Sequence, residues 1–331
     1  MPESNPFIVT VGASAGGLNA IGEIVSQLPR DINAGIFVVL HLSKAAMSDI
    51  LLSRIQKNSA LPCKIAEHRE PIRKGQIYIA APDTHLLVKE DSIVIGRGPA
   101  ENRFRPSIDV LFRSAAASHA EKVIGIILTG FLNDGSVGMQ AIKRSGGYCI
   151  VQDPNEAEYP DMPLAVLESI EVDNVLPLKK IGEAILERIN TAEIPHVQPP
   201  EHIVAESRLS EKAATAIEHV SSLGEQTAFT CPDCGGRLWR LQNGKLKHYR
   251  CHIGHVYSEQ DLVLRQNETI EQTLWVAVRM MEERKLLLEK MAKRHSSRGL
   301  EKLTTHYLNQ VTDLQHHITK LKELLFAVSK D

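Results

Sequence analysis

From residue 7 to about 190, short runs of continuously apolar, β-branched residues alternate with longer stretches whose apolar residues recur every three or four positions. The short runs predict strands at Phe7 to Val11, Ile36 to Leu40, Gln76 to Ala81, Val123 to Leu128 and Tyr148 to Val151. The longer ones predict helices through Leu18, Ile21, Ile24, Val25 and Leu28, and over Met47 to Lys57, Ile108 to His119, Gly138 to Arg144 and Ile181 to Ile189. His85 to Val88 and Ser92 to Ile95 flank Glu90-Asp91 and read as an antiparallel hairpin. Regular alternation of this kind belongs to an α/β fold: a doubly wound, mostly parallel sheet covered by helices on both faces.

The alternation stops at Ile194-Pro195-His196-Val197-Gln198-Pro199-Pro200, where three prolines in six residues withhold backbone donors and disfavour helix. A polar, helix-like stretch from about Ile203 to Leu223 leads to a cysteine-rich piece. Beyond it, Ile270, Leu274, Ala277, Met281, Leu288 and Met291 fall at a/d spacing, interrupted at Arg284; Leu300, Leu303, Tyr307, Val311, Leu314, Ile318, Leu321 and Leu325 form a second stripe. Ser296 to Gly299 supplies a turn between them, so a hairpin of two antiparallel helices is expected. The stripes serve as its internal seam, and a homodimer through these C-terminal helices stays open. Four segments result: residues 5–192, a linker with a helical segment at 193–225, a cysteine-bearing module at 226–258, and the helical hairpin at 259–329.

The 331 residues, 43% hydrophobic and 5% aromatic, suit a globular chain with room for more than one core. Lys and Arg number 38 against 40 Asp and Glu, a net charge of −2, so no overall basic field exists to recruit nucleic acid or an anionic membrane. No apolar run approaches the roughly 18 residues of a membrane span, and Met1-Pro2-Glu3-Ser4-Asn5-Pro6 has neither the basic nor the apolar region of a signal peptide. A cytoplasmic location is expected. Of the five cysteines, Cys63 and Cys149 stand alone in apolar stretches and are read as buried thiols without a role.

Between the first strand and its helix lies Gly12-Ala13-Ser14-Ala15-Gly16-Gly17, a G-x-S-x-G elbow that exposes a serine at a sharp strand-to-helix turn. A dinucleotide fingerprint would need glycine where Ser14 stands, and no Gly-Lys-Ser/Thr closes a P-loop. A tight turn with Ser14 bonding the helix start is the bland alternative. His41 ends the strand Ile36 to Leu40, and Asp134 lies in the loop after Val123 to Leu128. Ser14, His41 and Asp134 therefore follow three different strands at the sheet end where open α/β folds place their sites. Taken singly, His41 could be satisfied by a backbone carbonyl and Asp134 could cap the helix beginning near Gly135. Together they fit a nucleophile, a general base and the carboxylate that orients it.

Four ordered motifs, Gly12 to Gly17, Val38 to His41, Arg103 to Phe112, and Ile127 to Gly130 with Asn133-Asp134-Gly135, make residues 5 to 192 resemble the catalytic domain of the bacterial chemotaxis protein-glutamate methylesterases. The resemblance implies a triad of Ser14, His41 and Asp134, hydrolysis of glutamyl methyl esters on the cytoplasmic helical bundle of methylated chemoreceptors, and in many members deamidation of glutamines. It implies no cofactor for that chemistry. It implies Phe131 as one backbone oxyanion donor, to which elbow geometry adds Ala15, and places Arg103 and Arg105 near the receptor-facing cleft, against an equal alternative in which their motif is a plain loop with Pro106 near a helix start. This sequence departs from the family at Ala15, often Thr, at Phe131-Leu132, often Met-Gly, and at Leu42-Ser43-Lys44-Ala45, often proline-rich. Few residues precede the first strand, so a stand-alone form without an N-terminal receiver domain is expected. A non-catalytic chemosensory scaffold, binding partners through the cysteine-bearing module and the hairpin, is the competing reading.

Cys231-Pro232-Asp233-Cys234-Gly235-Gly236 and Cys251-His252-Ile253-Gly254-His255 have the spacing of a zinc ribbon. Cys231, Cys234, Cys251 and one histidine complete a closed Cys₃His set for structural Zn²⁺. His255 is preferred to His252 because C-x-x-x-H leaves room for a turn at Gly254. A redox C-x-x-C should open a helix, whereas this one leads into a Gly-Gly turn.

Overall fold

The structure, a computed structural model, describes residues 6–41, 48–191, 193–211, 220–243 and 246–328. It divides into two compact units, Met1–Glu259 and Gln260–Asp331.

In the first unit, β1 (Phe7–Ala13), β2 (Ala34–Leu40), β3 (Cys63–Ile65), β4 (Gln76–Ile79), β7 (Val123–Ile127), β8 (Tyr148–Gln152) and β9 (Asn174–Leu176) form one sheet in the order β3-β4-β2-β1-β7-β8-β9. Every neighbouring pair is parallel. β1 and β2 are buried at every position, as continuous apolar runs require when both faces are covered. On one face Val9, Val11, Ile36 and Val38 pack with α1 (Gly17–Ser26), α2 (Ser48–Asn58) and α6 (Leu178–Ile189). On the other, Ile8, Phe37, Val39 and Ile127 pack with α3 (Ile108–His119), α4 (Ser136–Arg144) and α5 (Asp161–Ser169). The hairpin is β5 (His85–Val88) with β6 (Ile93–Gly96).

The α/β expectation therefore holds, with three additions. β3 and β9 are short, half-exposed edge strands whose polar residues give no apolar run. α5 was hidden by Pro160 and Pro163; Pro163 sits in the first turn, where its missing N–H costs no helical bond.

The helix expected from Ile203 is α7 (Glu201–Ser210); residues 212–219 of that expectation lie outside the described residues. Ile203 joins the second core face. β10 (Glu225–Thr230), β11 (Arg237–Asn243), β12 (Leu246–Cys251) and β13 (Val256–Ser258) form a separate four-stranded antiparallel sheet. A buried ion cluster ties α7 and this sheet to α3. Arg113 pairs with Glu101 at 2.6 Å and Glu206 at 3.3 Å, while Arg250 on β12 reaches Glu101 at 3.1 Å. His248 bonds Glu206 at 2.9 Å, and the Ser210 hydroxyl accepts from Arg113 and donates to Glu101. All four charged side chains are at most 3% exposed.

The second unit is the helical hairpin, α8 (Glu259–Ser296) and α9 (Glu301–Val328), turned at Gly299 with φ +74°. Leu288, Ala292, Leu314, Ile318 and Leu325 are its buried seam. α8 runs unbroken through Arg284, which faces solvent where the apolar stripe is interrupted, as the expected pair of helices requires. Among the described residues, no helix is long and apolar enough to cross a membrane.

Candidate active site

The sheet order makes β1 the point where successive crossovers diverge, to β2 on one side and β7 on the other, and such a point opens a crevice at the strand C-termini. Ser14 sits at that point, half-buried. Its N–H donates to the Thr129 carbonyl beyond β7 at 3.0 Å, and Gly17 N–H donates to the Ser14 carbonyl at 3.0 Å. Gly16, at φ +74°, supplies the left-handed step into α1. Gly130 allows the β7 loop to approach: a Cβ there would lie 2.6 Å from Ser14 Cβ and would overlap Met162.

His41 follows β2, whose last residue Leu40 pairs with Ala13, and its N–H donates to the Ala13 carbonyl at 3.0 Å. Ser14 and His41 are thus one strand apart, each the first residue beyond its strand. The imidazole Nε2 meets Asp134 Oδ2 at 2.9 Å, with side-chain exposures of 4% and 0%. Its Nδ1 is buried and has no partner among the described residues.

Asp134 does not cap α4, whose first turn begins at Gly135 without a side-chain cap. It caps α3 instead, accepting from the N–H groups of Ile108 at 2.7 Å and Asp109 at 3.3 Å, and from Ser107 Oγ and Asn102 Nδ2 at 2.9 Å each. Burial alone would push its pKa up. The hydrogen bond and charge of His41, with the Asn102 and Ile108 donors, outweigh burial and hold the carboxyl below its usual range. Asp109, next to it and fully buried, is pushed the other way, well above its usual value, by burial and by the Asp134 charge. Of the two carboxyls, the one that bonds His41 is the one whose surroundings favour the charged form.

Asn102 and Phe104 were not singled out by the sequence. Asn102 Nδ2 lies 2.6 Å from Asp109 as well as 2.9 Å from Asp134. Phe104 stacks on His41, with ring centroids 3.5 Å apart and planes 5° from parallel. Both belong to a turn closed by reciprocal bonds between Glu101 and Phe104, in which Asn102 (φ 49°) and Arg103 (φ 72°) are consecutive left-handed residues without glycine. Such positions cost of order 1–3 kcal/mol each and persist only when the surroundings enforce them.

The remaining expected residues are distributed unevenly. Phe131 is 49% exposed at the crevice, its ring against Tyr159 at 4.3 Å. Ala15 is half-buried, its carbonyl accepting from Thr129 Oγ1 at 3.1 Å. Arg103 is exposed, whereas Arg105 bonds Asp83 through Nε and Nη2 and the Gly98 carbonyl through Nη1. Residues 42–45, where the sequence departs from its relatives, lie outside the described residues.

In the four-stranded sheet, Cys231, Cys234, Cys251 and His255 bring their ligand atoms within 4.8 Å of one another. His255 Nδ1 lies 3.6 Å from Cys231 Sγ and 3.5 Å from Cys251 Sγ; Cys234 and Cys251 Sγ are 3.8 Å apart. Those separations suit four donors around one ion with Zn–S near 2.3 Å. His252 is not part of the cluster.

Serine, histidine and aspartate thus follow three adjacent strands of one parallel α/β sheet. The sequence profile of the CheB methylesterase family matches residues 9–185, and the chain belongs to that family. A putative protein-glutamate methylesterase/protein-glutamine glutaminase of Leptospira interrogans is 41% identical over 180 residues, covering 54% of this chain and 92% of that protein. The protein-glutamate methylesterase/protein-glutamine glutaminase of Symbiobacterium thermophilum is 35% identical over 179 residues, 54% of this chain and 49% of that protein. The crystal structure of the Thermotoga maritima CheB methylesterase catalytic domain superposes with a TM-score of 0.54 at 33% identity, covering 56% of this chain and 99% of that one.

Proposed function

We propose that this chain hydrolyses glutamyl methyl esters on methylated chemoreceptors by acyl transfer, with Ser14 as nucleophile, His41 as general base and Asp134 as the group that orients it. One observation carries the assignment: His41 is bound to Asp134 through Nε2 while the buried Nδ1 has no partner among the described residues, one strand away from Ser14. Ser14 Oγ attacks the ester carbonyl as its proton passes to His41 Nδ1. The tetrahedral adduct then expels methoxide, which takes that proton and leaves as methanol. Water, deprotonated by the same nitrogen, cleaves the acyl-serine and returns glutamate. Backbone N–H groups of Phe131 and Ala15 are the proposed oxyanion donors, a contribution worth about 10²–10³ in rate each. The same sequence applied to a glutamine side chain releases ammonia, in keeping with the glutaminase in the relatives' names.

The Cys₃His cluster is the proposed seat of a structural Zn²⁺, since four protein donors leave no open position for substrate. Release of methanol from a methylated receptor cytoplasmic fragment tests the reaction on the full chain. Ser14→Ala should reduce it to background, and normal turnover in that variant would overturn the mechanism.

A further inference from the structure

The turn that carries Asn102 and Phe104 is not held by the parallel-sheet fold alone. Asn102 N–H donates to the carbonyl of Val256, the first residue of β13, at 2.9 Å, and Glu101 forms a bridge with Val256. Asn133, the neighbour of Asp134, donates through Nδ2 to Ser258 Oγ at 3.0 Å. The Glu101 carboxylate is gripped by Arg250 of β12 as well as by Arg113 of α3. β13 begins directly after His255, and β12 ends at Cys251. A two-residue path therefore leads from the cysteine cluster to the turn whose amide bonds Asp134 and whose ring covers His41.

We infer that Asn102 is a positioning residue for the Asp134–His41 pair, and that the cysteine-bearing sheet fixes it in place, so that the occupancy of the Cys₃His cluster sets the rate of the esterase step. A sheet this small has little core of its own: Trp239 and Leu241 pack with Leu209 and Val220. Sheets of that size depend on their metal for order. Loss of the ion frees β13, releases a turn that adopts two consecutive left-handed residues only under constraint, and withdraws from Asp134 one of the donors that keep it ionised and aimed at His41. Ser14 and the elbow, built from β1 and β7, are untouched. The consequence is specific: a fall in kcat with little change in KM. This inference rests on the esterase reading, but the coupling has its own signature in the His41–Asp134 hydrogen bond.

The test uses the full chain, zinc-loaded and after chelation, together with Cys234→Ser and Asn102→Gly. Glycine accepts the left-handed turn, so the second variant removes the amide without straining the fold. Two quantities are read: kcat and KM for methanol release, and the far-downfield proton resonance of the His41 Nε2–H bond to Asp134. Chelation and Cys234→Ser should each lower kcat by about tenfold to a hundredfold, as small misplacements do. KM should stay within about twofold and the downfield proton should shift or disappear; zinc should restore the chelated wild type. Asn102→Gly should show the same loss with zinc bound, and chelation should then add nothing. An unchanged kcat and an unchanged downfield proton in zinc-free protein would overturn the coupling, as would losses from chelation and Asn102→Gly that multiply. If the zinc-loaded chain turned over no ester but its downfield proton still answered to zinc, the esterase reading would fall and the coupling would stand.

Discussion

Phe104 lies flat against the imidazole of His41, 3.5 Å between ring centroids and 5° from parallel. The stacking fixes the ring plane, and the Asp134 bond fixes its rotation within that plane. Phe104→Ala leaves the second restraint and removes the first. Its kcat for methanol release should fall about tenfold, equivalent to about 1.4 kcal/mol of barrier, with KM little changed. Wild-type kinetics in that variant would show that Asp134 alone orients His41.

Gly130 should tolerate no side chain. Gly130→Ala places a methyl against Ser14 Cβ and Met162, two neighbours fixed by the elbow and by α5. The loop must retreat, carrying Phe131 with it. A loss of at least about 10² in kcat is expected, the scale of one oxyanion donor, while circular dichroism stays native.

The surroundings of Asp134 shape the pH profile. Asp134 is held below the usual carboxylate range by the His41 hydrogen bond and charge and by its Asn102 and Ile108 donors. Lowering the pH into the ordinary carboxylate range should therefore add no loss of kcat/KM from Asp134. A loss of activity that sets in within that range would place the Asp134 titration there and contradict its hydrogen-bonded environment.

Acid should also loosen the ion cluster. Burial opposes the charge on Glu101, but Arg113 and Arg250 outweigh it and bring its pKa from the ordinary 4.5 to about 2. Glu206 is likewise lowered, Arg113 and His248 prevailing over burial. Carboxyls lowered by folding add stability above their unfolded pKa, and that contribution is lost as pH falls through about 4.5 toward about 2. The urea midpoint of the wild type should decline over this interval. Glu101→Gln, which leaves two buried guanidinium groups with one carboxylate, should cost about 3–5 kcal/mol at pH 7 and show a shallower decline. An identical pH dependence in wild type and variant would exclude Glu101 as its source.

The sheet and the helices over it were readable because Val9, Ile36 and Ile126 belong to runs with one physical cause, burial on both faces. The placement of Ser14, His41 and Asp134 beyond β1, β2 and β7 was readable for a related reason: each follows such a run in sequence. Asn102 and Phe104 follow no strand. They act from a turn whose shape depends on Val256, about 150 residues later, and no local pattern encodes a contact of that span. Asp134 drew a correct suspicion of capping, but of the wrong helix, because sequence adjacency suggested α4 where the fold delivers α3. The cysteine cluster was legible from its spacing, which named the same four residues that the fold brings within 4.8 Å of one another.

The square of Arg113, Glu101, Arg250 and Glu206 has a consequence for how this chain can change over generations. Two of its corners belong to the parallel-sheet fold and two to the C-terminal appendage of α7 and the cysteine-bearing sheet, and the charges cancel only as a set. Replacing any one corner leaves the buried set with unbalanced charge, and an unrelated appendage would have to bring both missing charges at once. An oily contact can drift one methyl at a time, whereas this junction has no gradual route apart. The appendage should be inherited with the esterase as a unit, or lost only in lineages where Arg113 and Glu101 have first become neutral.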